Sequence, residues 1–342
     1  MRAIVHTSTG GPDVLELTDR PEPQPGAGEV AVRVRVAGVN PTDWKTRAGI
    51  TPPPSGAEEH VPGQDGAGDV VAVGEGVDPA RVGERVWLWL TARVGAVGGT
   101  AQEVVVVPAA HAVALAEGAS YDVGAALGVP ALTAHRCLTA AEDGPSRLAP
   151  GALEGRTVLV AGGAGAVGHA AIELARWAGA TVVTTVSSED KAALARAAGA
   201  HHVVDYTAGT VDDTAAAIRE VAPDGVHVVV EVSPAVNAPL DVEVCANGAT
   251  VAYYATNGGE DATIPVRGSM SKNIRWQGVL LYTIPDRAKA DAVAAVGAAV
   301  ADGALRVGEE AGLPLHRFGL EQTADAHRAV EDGAVGKVVI DV

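Results

Sequence analysis

Hydrophobic and polar residues alternate along the first third of the chain. In EVAVRVRVAGVN (29–40), valines at every second position are separated by alanine and arginine. Side chains of a strand point to opposite faces in turn, so this pattern predicts a half-buried β-strand. Further apolar runs, bounded by glycine and proline clusters, predict strands at 69–78, 84–90 and 101–109. Strands at this spacing are typical of a small barrel or sandwich.

The pattern changes beyond residue 120. Short β-branched runs then alternate with helical segments, first RTVLVAG and GHAAIELARWAG, then TVVTTVS and SEDKAALARAAG. The runs HHVVDY, GVHVVVEV, GATVAYYA and IRWQGVLLY predict later strands. This alternation favours a parallel, doubly wound sheet, so the fold class expected is α/β.

A glycine-rich loop lies between the first strand and helix of this alternating region. VLVAGGAGAVGHAAIELARWAGA (158–180) contains Gly163, Gly165 and Gly168. A lone G-x-G-x-x-G also fits a simple tight turn, but the strand before it and the helix after it favour a dinucleotide site. In that context we expect Gly163 to permit the turn, Gly165 to let backbone N–H groups approach a pyrophosphate, and Gly168 to allow close helix–strand packing. The helix N-terminus would attract the anion.

The end of the next strand bears on the choice of dinucleotide. An acidic residue there would bind the ribose 2′-hydroxyl of NAD, but TVVTTV is followed by Ser187 and Ser188, with Lys191 close behind. Hydroxyl and ammonium groups suit a 2′-phosphate, so NADPH is the predicted cofactor. We expect Glu189 and Asp190 to lie at the N-terminus of the following helix, where its dipole stabilises carboxylates.

Composition excludes several classes of function. The 342 residues include 42 acidic and 25 basic ones, and a net charge of −17 would repel nucleic acid. No apolar stretch approaches the roughly 18–20 residues that span a bilayer, and the first residues lack a secretory core, so we expect neither membrane segment nor leader. The two cysteines, Cys137 and Cys245, argue against a disulfide framework and favour a cytoplasmic location.

Motifs along nearly the whole chain resemble those of one family. AGVNPTDWKTRAG (37–49), VPGQDGAGDVVAVGEGV (61–77), GVPALTAHRCL (128–138) and the C-terminal AHRAVEDGAVGKVVIDV are similar to segments of the zinc-independent quinone oxidoreductase (ζ-crystallin-like) branch of the medium-chain dehydrogenase/reductase superfamily. The resemblance implies a GroES-like β-barrel domain over 1–125, completed by 286–342, and a Rossmann NADP-binding domain over 126–285. It also implies a homodimer, with IRWQGVLLY as the candidate edge strand.

The resemblance implies site residues as well. Asn40 would orient the nicotinamide or substrate, and Asp43 is a second polar candidate for catalysis, although loop capping explains it equally well. The cofactor-binding residues expected are Gly163, Ala164, Gly165, Ala166, Val167, Gly168, Ser187, Ser188, Lys191, Tyr206, Tyr253 and Leu280.

The zinc ligands of related dehydrogenases are missing from the matching positions. Those relatives need a cysteine where this chain has Pro41 or its neighbours, and Gly-His-Glu where it has Gly63-Gln64-Asp65. Glutamine is a poor zinc ligand and no cysteine precedes Cys137, so we expect no metal.

A tyrosine common in the family is also absent. The chain has Ile50 and Thr51 in the loop GITPPPSG, which weakens any assignment of a tyrosine proton donor. We therefore expect NADPH-dependent hydride transfer to a quinone, an enone or another electron-poor conjugated small molecule. The alternatives are an enoyl or enone reductase of a biosynthetic pathway and a non-catalytic NADPH-binding redox sensor, since the glycine loop is common to all three.

Overall fold

A computed structural model of the chain describes residues 1–52, 59–95 and 98–342; the second half of the predicted loop GITPPPSG, residues 53–56, lies outside them. The strands are β1 (Arg2–Val5), β2 (Glu16–Asp19), β3 (Glu29–Val39), β4 (Asp65–Val73), β5 (Arg85–Leu88), β6 (Val104–Pro108), β7 (Ala112–Ala114), β8 (Thr157–Ala161), β9 (Thr181–Val186), β10 (His202–Asp205), β11 (Val226–Glu231), β12 (Cys245–Tyr253), β13 (Arg275–Gly278), β14 (Leu315–Gly319) and β15 (Lys337–Asp341). The α-helices are α1 (Pro41–Arg47), α2 (Thr91–Val94), α3 (Tyr121–Ala125), α4 (Gly128–Leu138), α5 (Ala166–Trp177), α6 (Glu189–Ala197), α7 (Val211–Val221), α8 (Pro234–Val244), α9 (Val266–Ser271), α10 (Asp286–Ala301) and α11 (Thr323–Glu331).

The first of two compact units comprises Met1–Val129 and Pro314–Val342. Its main sheet has the strand order β14-β15-β3-β4-β5-β7, and β6 also pairs with β3. Strands β14 and β15 are parallel, and the other pairs of this sheet are antiparallel. The first unit is therefore a mostly antiparallel β-structure, as the alternating pattern predicts.

Strand β3 shows why the alternating pattern was informative. Val30 and Val32 are 0% exposed, whereas Arg35, on the other face, is exposed. Its neighbour β4 begins at Asp65, earlier than the predicted start at 69, and it includes glycines that resemble turn residues. A Cβ at Gly68 would overlap the carbonyl oxygen of Arg33, so the close approach of β3 and β4 requires glycine within the strand.

The second unit, Pro130–Leu313, contains a six-stranded sheet of order β10-β9-β8-β11-β12-β13. All of its strand pairs are parallel, which confirms the predicted doubly wound sheet. Strand order reverses between β8 and β11. In such sheets ligands bind outside the carboxyl ends of the strands, at the point of reversal.

The second unit extends further along the chain than the predicted boundary at 285. The backbone N and the Nε of Arg306 each donate to Glu173 of α5 at 2.9 Å, and Trp177 Nε1 donates to Asp302 at 2.8 Å. These bonds fasten the segment after α10 to α5. The chain accordingly returns to the first unit at Pro314 rather than at 286.

Strand β13 is shorter than the predicted strand IRWQGVLLY and lies at the edge of the six-stranded sheet. Homodimerisation through this strand stays a prediction. Within the described parts of the chain, no helix combines the length and apolar character needed to cross a bilayer.

Candidate functional site

The glycine loop connects β8 to α5 at the carboxyl edge of the parallel sheet. Gly162 has a φ of +71°, which favours glycine, so the turn requirement falls on Gly162. Gly163 does not have this conformation, and the prediction that it permits the turn was wrong. A Cβ at Gly163 would overlap Thr184 Oγ1 and come within 2.9 Å of Ile172 Cδ1, so close packing requires glycine there.

Gly168 and Gly165 have the surroundings that the sequence predicts. A Cβ at Gly168 would overlap the carbonyl oxygen of Gly162, so helix α5 can approach the loop only with glycine at this position. Gly165 is exposed, and the nearest atom to a Cβ built on it is 3.6 Å away. It is also the N-cap residue of α5 and provides no side-chain cap, which leaves this helix end open to an anion. Next to it, Ala164 is buried, whereas Ala166 and Val167 are half-buried.

Polar side chains meet at the end of the neighbouring strand β9. Lys191 Nζ donates to Ser187 Oγ at 2.8 Å, so these two predicted ligands lie together. Ser188 is the N-cap of α6, and its hydroxyl accepts from Lys191 N at 3.3 Å. Tyr206 is brought alongside by a bond from its backbone N to Val186 O at 3.1 Å, and its side chain is 49% exposed.

The two carboxylates next to these predicted ligands, Glu189 and Asp190, belong to the N-terminal turn of α6. Glu189 forms an ion pair with Arg196, which lies further along α6. Asp190 is exposed in the first turn of the same helix. Both positions agree with the expectation that carboxylates stabilise the helix N-terminus. The ammonium of Lys191 is therefore bonded to a hydroxyl and not to either of these carboxylates.

Tyr253 and Leu280 lie near the ends of β12 and β13. Tyr253 is in register with Gly278, and a Cβ there would be 3.2 Å from Tyr253 Oη, so the tyrosine ring covers this glycine. Leu280 follows the end of β13 and is 55% exposed. Their places at the carboxyl edge are compatible with a nicotinamide pocket, and that role stays a prediction.

Asn40 belongs to a buried polar network in the first unit. Its Nδ2 donates to Asp65 Oδ2 at 2.7 Å, and its Oδ1 accepts from Lys337 Nζ at 2.7 Å. Asp65 also accepts from the backbone N of Val129 at 2.8 Å and lies 3.7 Å from Lys337 Nζ. Asn40 is 2% exposed with a partner at each end of its amide, so its predicted contact with a nicotinamide stays a prediction.

Asp43 has the capping role that was its alternative interpretation. Its Oδ2 accepts from the backbone N of Asn40 at 2.8 Å, at the start of α1. Burial raises the pKa of Asp43 to about 7, and backbone hydrogen bonds from Asn40 and Gly63 only partly oppose this effect. Burial likewise raises the pKa of Asp65 and lowers that of Lys337, while their mutual attraction opposes both shifts.

Sequence reasoning missed Lys337 as a member of this network. The signal was a single lysine directly before the apolar residues of the strand KVVID, since lysine is almost never fully buried without a partner. Lys337 is 1% exposed, and its partners lie almost 300 positions away along the chain, at Asn40 and Val39.

The positions that hold zinc in related dehydrogenases carry poor ligands here. Gln64 presents an amide, and the carboxylate of Asp65 is already bonded to Asn40 and Val129 beside the ammonium of Lys337. A divalent cation at this point would be repelled by that ammonium. Among the described residues, no group of three or more histidine, cysteine, aspartate or glutamate side chains could hold a metal ion.

Comparison with known proteins agrees with this architecture. Residues 26–117 match the alcohol dehydrogenase GroES-like domain, and residues 166–298 match the family described as zinc-binding dehydrogenase. The predicted pairing of a GroES-like domain with a Rossmann domain is thereby confirmed.

Relatives that align over nearly the whole chain show which branch of the superfamily it belongs to. The chain is 32% identical to a quinone oxidoreductase of Lama guanicoe over 346 aligned residues, which cover 99% of this chain and 97% of the relative. A mycobacterial protein solved in complex with NADPH is 28% identical with a TM-score of 0.81, and an NAD-dependent alcohol dehydrogenase is 29% identical with a TM-score of 0.84. Each of these alignments covers 100% of both chains. The chain therefore belongs to the quinone oxidoreductase branch of the medium-chain dehydrogenase/reductase superfamily and is a quinone oxidoreductase-like enzyme.

Proposed function

We propose that this protein uses NADPH to reduce a quinone or another electron-poor conjugated acceptor without a zinc ion. The observation that carries the proposal is the pairing of two anion-binding features in the second unit. An open helix N-terminus follows the glycine loop at β8, and the Lys191–Ser187 pair lies at the end of the adjacent strand β9.

The second unit fits NADPH in two places. At the glycine loop, exposed backbone at Gly165 and the uncapped end of α5 would hold the pyrophosphate. At the end of β9, Lys191 and Ser187 would hold the 2′-phosphate. The mycobacterial relative solved with NADPH supports this cofactor. When bound, NADPH supplies a hydride.

The choice of acceptor follows from what the chain lacks at the matched positions. A simple carbonyl that receives a hydride needs a Lewis acid or a proton donor for the developing alkoxide. This chain has Gln64 where zinc-dependent relatives have histidine, and Ile50 and Thr51 where many family members have tyrosine. A quinone or enone delocalises the charge itself and can take its proton from water, so catalysis would rest mainly on positioning. The name of the Lama guanicoe relative, quinone oxidoreductase, supports a quinone.

The proposed reaction is tested by NADPH oxidation with a panel of acceptors. We expect turnover with small quinones or enones, slower turnover with NADH, and little oxidation of simple alcohols with NADP. Enals and enoyl thioesters in the same panel test the enoyl reductase alternative. Tight NADPH binding without turnover of any acceptor would contradict the proposal and favour a redox sensor.

Zinc independence is tested separately. Because the donor set around Gln64 and Asp65 does not fit zinc, we expect elemental analysis of purified protein to find no stoichiometric metal. Chelators should leave quinone reduction and the unfolding temperature unchanged. One zinc ion per chain whose removal abolishes activity would show this part of the proposal to be wrong.

A further inference from the structure

Two carboxyl groups are buried side by side in the second unit. Glu231 ends strand β11 and is 0% exposed, and Asp241 in helix α8 is 1% exposed. Glu231 Oε1 accepts from the backbone N of Ser233 and from Asn237 Nδ2, the latter at 3.0 Å. The Asp241 carboxyl lies within hydrogen-bonding reach of Glu231.

The remaining oxygens of this pair have no donor. If both groups are ionised, Glu231 Oε2 and both oxygens of Asp241 are without a hydrogen-bond partner among the described residues. Two adjacent carboxylates in an apolar interior cannot both be ionised at moderate pH. A single proton on the pair would supply the missing O–H donor and remove one of the two charges.

The titratable groups that the structure describes around Asp241 do not supply a counter-charge to it. Cys245, at the start of β12, faces Asp241, and burial raises the pKa of this thiol to about 12. Tyr254, after β12, lies near Glu231 and near Cys137 of α4, and burial raises the pKa of both the phenol and the Cys137 thiol. These three groups are therefore neutral near pH 7. Lys272 Nζ is bonded to the carbonyl oxygens of Val242 and Glu243 at 2.8 Å.

The direction of the pKa shifts agrees with a retained proton. Burial raises the pKa of Asp241 well above its ordinary value, and the adjacent Glu231 raises it further. Burial also raises the pKa of Glu231, although hydrogen bonds from Ser233 and Asn237 partly oppose this. The folded protein thus binds a proton that the unfolded chain would release.

The turn at 231–237 leads from β11 into α8, and Glu231 holds it by accepting hydrogen bonds from Ser233 and Asn237. This turn is next to the glycine loop. The carbonyl oxygen of Glu231 accepts from Tyr254 N at 3.1 Å, and Ser233 Oγ donates to Asn257 O at 2.6 Å, which ties the ends of β11 and β12 together. Val232 lies against the loop, since a Cβ at Gly162 would be 3.3 Å from Val232 Cγ1. The side chain of Glu231 therefore helps to set the shape of the sheet edge at the point where strand order reverses.

We propose that Glu231 and Asp241 share one proton and that this protonated pair is a positioning element for dinucleotide binding, holding the 231–237 turn beside the glycine loop. The proposal rests on the proposed function, because it assumes that this edge binds NADPH. As pH rises, loss of the proton leaves two repelling carboxylates in the interior. The turn then loosens, and NADPH affinity falls.

The experiment compares wild type with Asp241→Asn, in which a permanent N–H donor replaces the shared proton. We expect equal NADPH dissociation constants at pH 6.5, and a ratio of wild-type to variant Kd that rises about tenfold by pH 9.5, the effect of one pKa unit. The ratio cancels any pH effect that the two proteins share. Asp224→Asn, at an exposed carboxylate before β11, is the control and should keep the wild-type pH profile.

Infrared spectroscopy tests the shared proton without NADPH. Wild-type protein should show the C=O band of a buried protonated carboxyl at pH 7.5, and Glu231→Gln/Asp241→Asn should lack it. Absence of the band, or a Kd ratio that does not change with pH, would overturn the proposal. Failure of wild-type protein to bind NADPH at pH 6.5 would instead overturn the proposed function, and the infrared band would still decide whether the proton is shared.

Discussion

Replacing Lys337 with methionine is expected to lower the free energy of unfolding of the first unit by about 3–5 kcal/mol near pH 8. The side chain of Lys337 is 1% exposed, and its Nζ lies 3.7 Å from a carboxylate oxygen of Asp65, which is 0% exposed. Without it, Asp65 and the nearby Asp43 would be buried charges with no cation beside them in the described part of the chain. Urea unfolding measures the loss, and hydrogen exchange of β3 and β15 would locate it in this sheet.

The pH dependence of this loss has a definite sign. Asp43 and Asp65 have pKa values raised by burial, and Lys337 opposes that rise in both. Removing Lys337 would raise both pKa values further, so the folded variant binds protons that the unfolded chain releases. Its stability deficit relative to wild type should therefore shrink as pH falls from 8 toward 5.

Two further variants make the Lys337 prediction specific. Lys337→Met/Asp65→Asn removes both members of the buried pair and should be closer to wild type than Lys337→Met, because no uncompensated charge remains at residue 65. Arg287→Met is the control, since the side chain of Arg287 is 87% exposed where it pairs with Asp291, and it should change stability by less than about 1 kcal/mol. A Lys337→Met loss as small as the control's would show that the buried network contributes little to stability.

Local patterns predicted most of the fold, since each covers adjacent residues. β-branched runs followed by helical periodicity identified β8, α5, β9 and α6, and the resulting sheet is parallel in the predicted order of elements. The helix N-terminus at Gly165 and the meeting of Ser187 with Lys191 also follow from short segments. Patterns of this kind are sufficient because the interactions are local.

What could not be predicted depends on contacts that are distant in sequence. Gly162 and Gly163 are indistinguishable in the sequence, and only the path of the backbone shows which of them has positive φ. Gly68 looks like a turn residue until the approach of β3 is known. The network of Asn40, Asp65 and Lys337 joins three segments that nothing in the local sequence connects.

The predicted cofactor-binding residues at the end of β9 differ in how clearly a substitution would test their role. Ser188 already caps α6, so its loss would alter the helix as well as any phosphate site. Among the described residues, the ammonium of Lys191 donates to Ser187, and it can also donate to a phosphate. Lys191 is therefore the better position for a test of cofactor choice.

Replacing Lys191 with alanine is expected to weaken NADPH binding about ten- to a hundredfold and to leave NADH binding nearly unchanged. A charge-assisted contact to a phosphate contributes on the order of 1.5–3 kcal/mol, and only NADPH carries the 2′-phosphate. Dissociation constants for both cofactors should be measured at two salt concentrations, because screening weakens a charge–charge contact.

Arg287→Ala removes an equal charge from an exposed position on α10 and should leave both constants unaltered. Equal losses of NADPH and NADH affinity in Lys191→Ala would place Lys191 outside the 2′-phosphate site. A selective loss of NADPH affinity would assign the end of β9 to the phosphate, and the choice between the two dinucleotides would then rest on one ammonium and one hydroxyl.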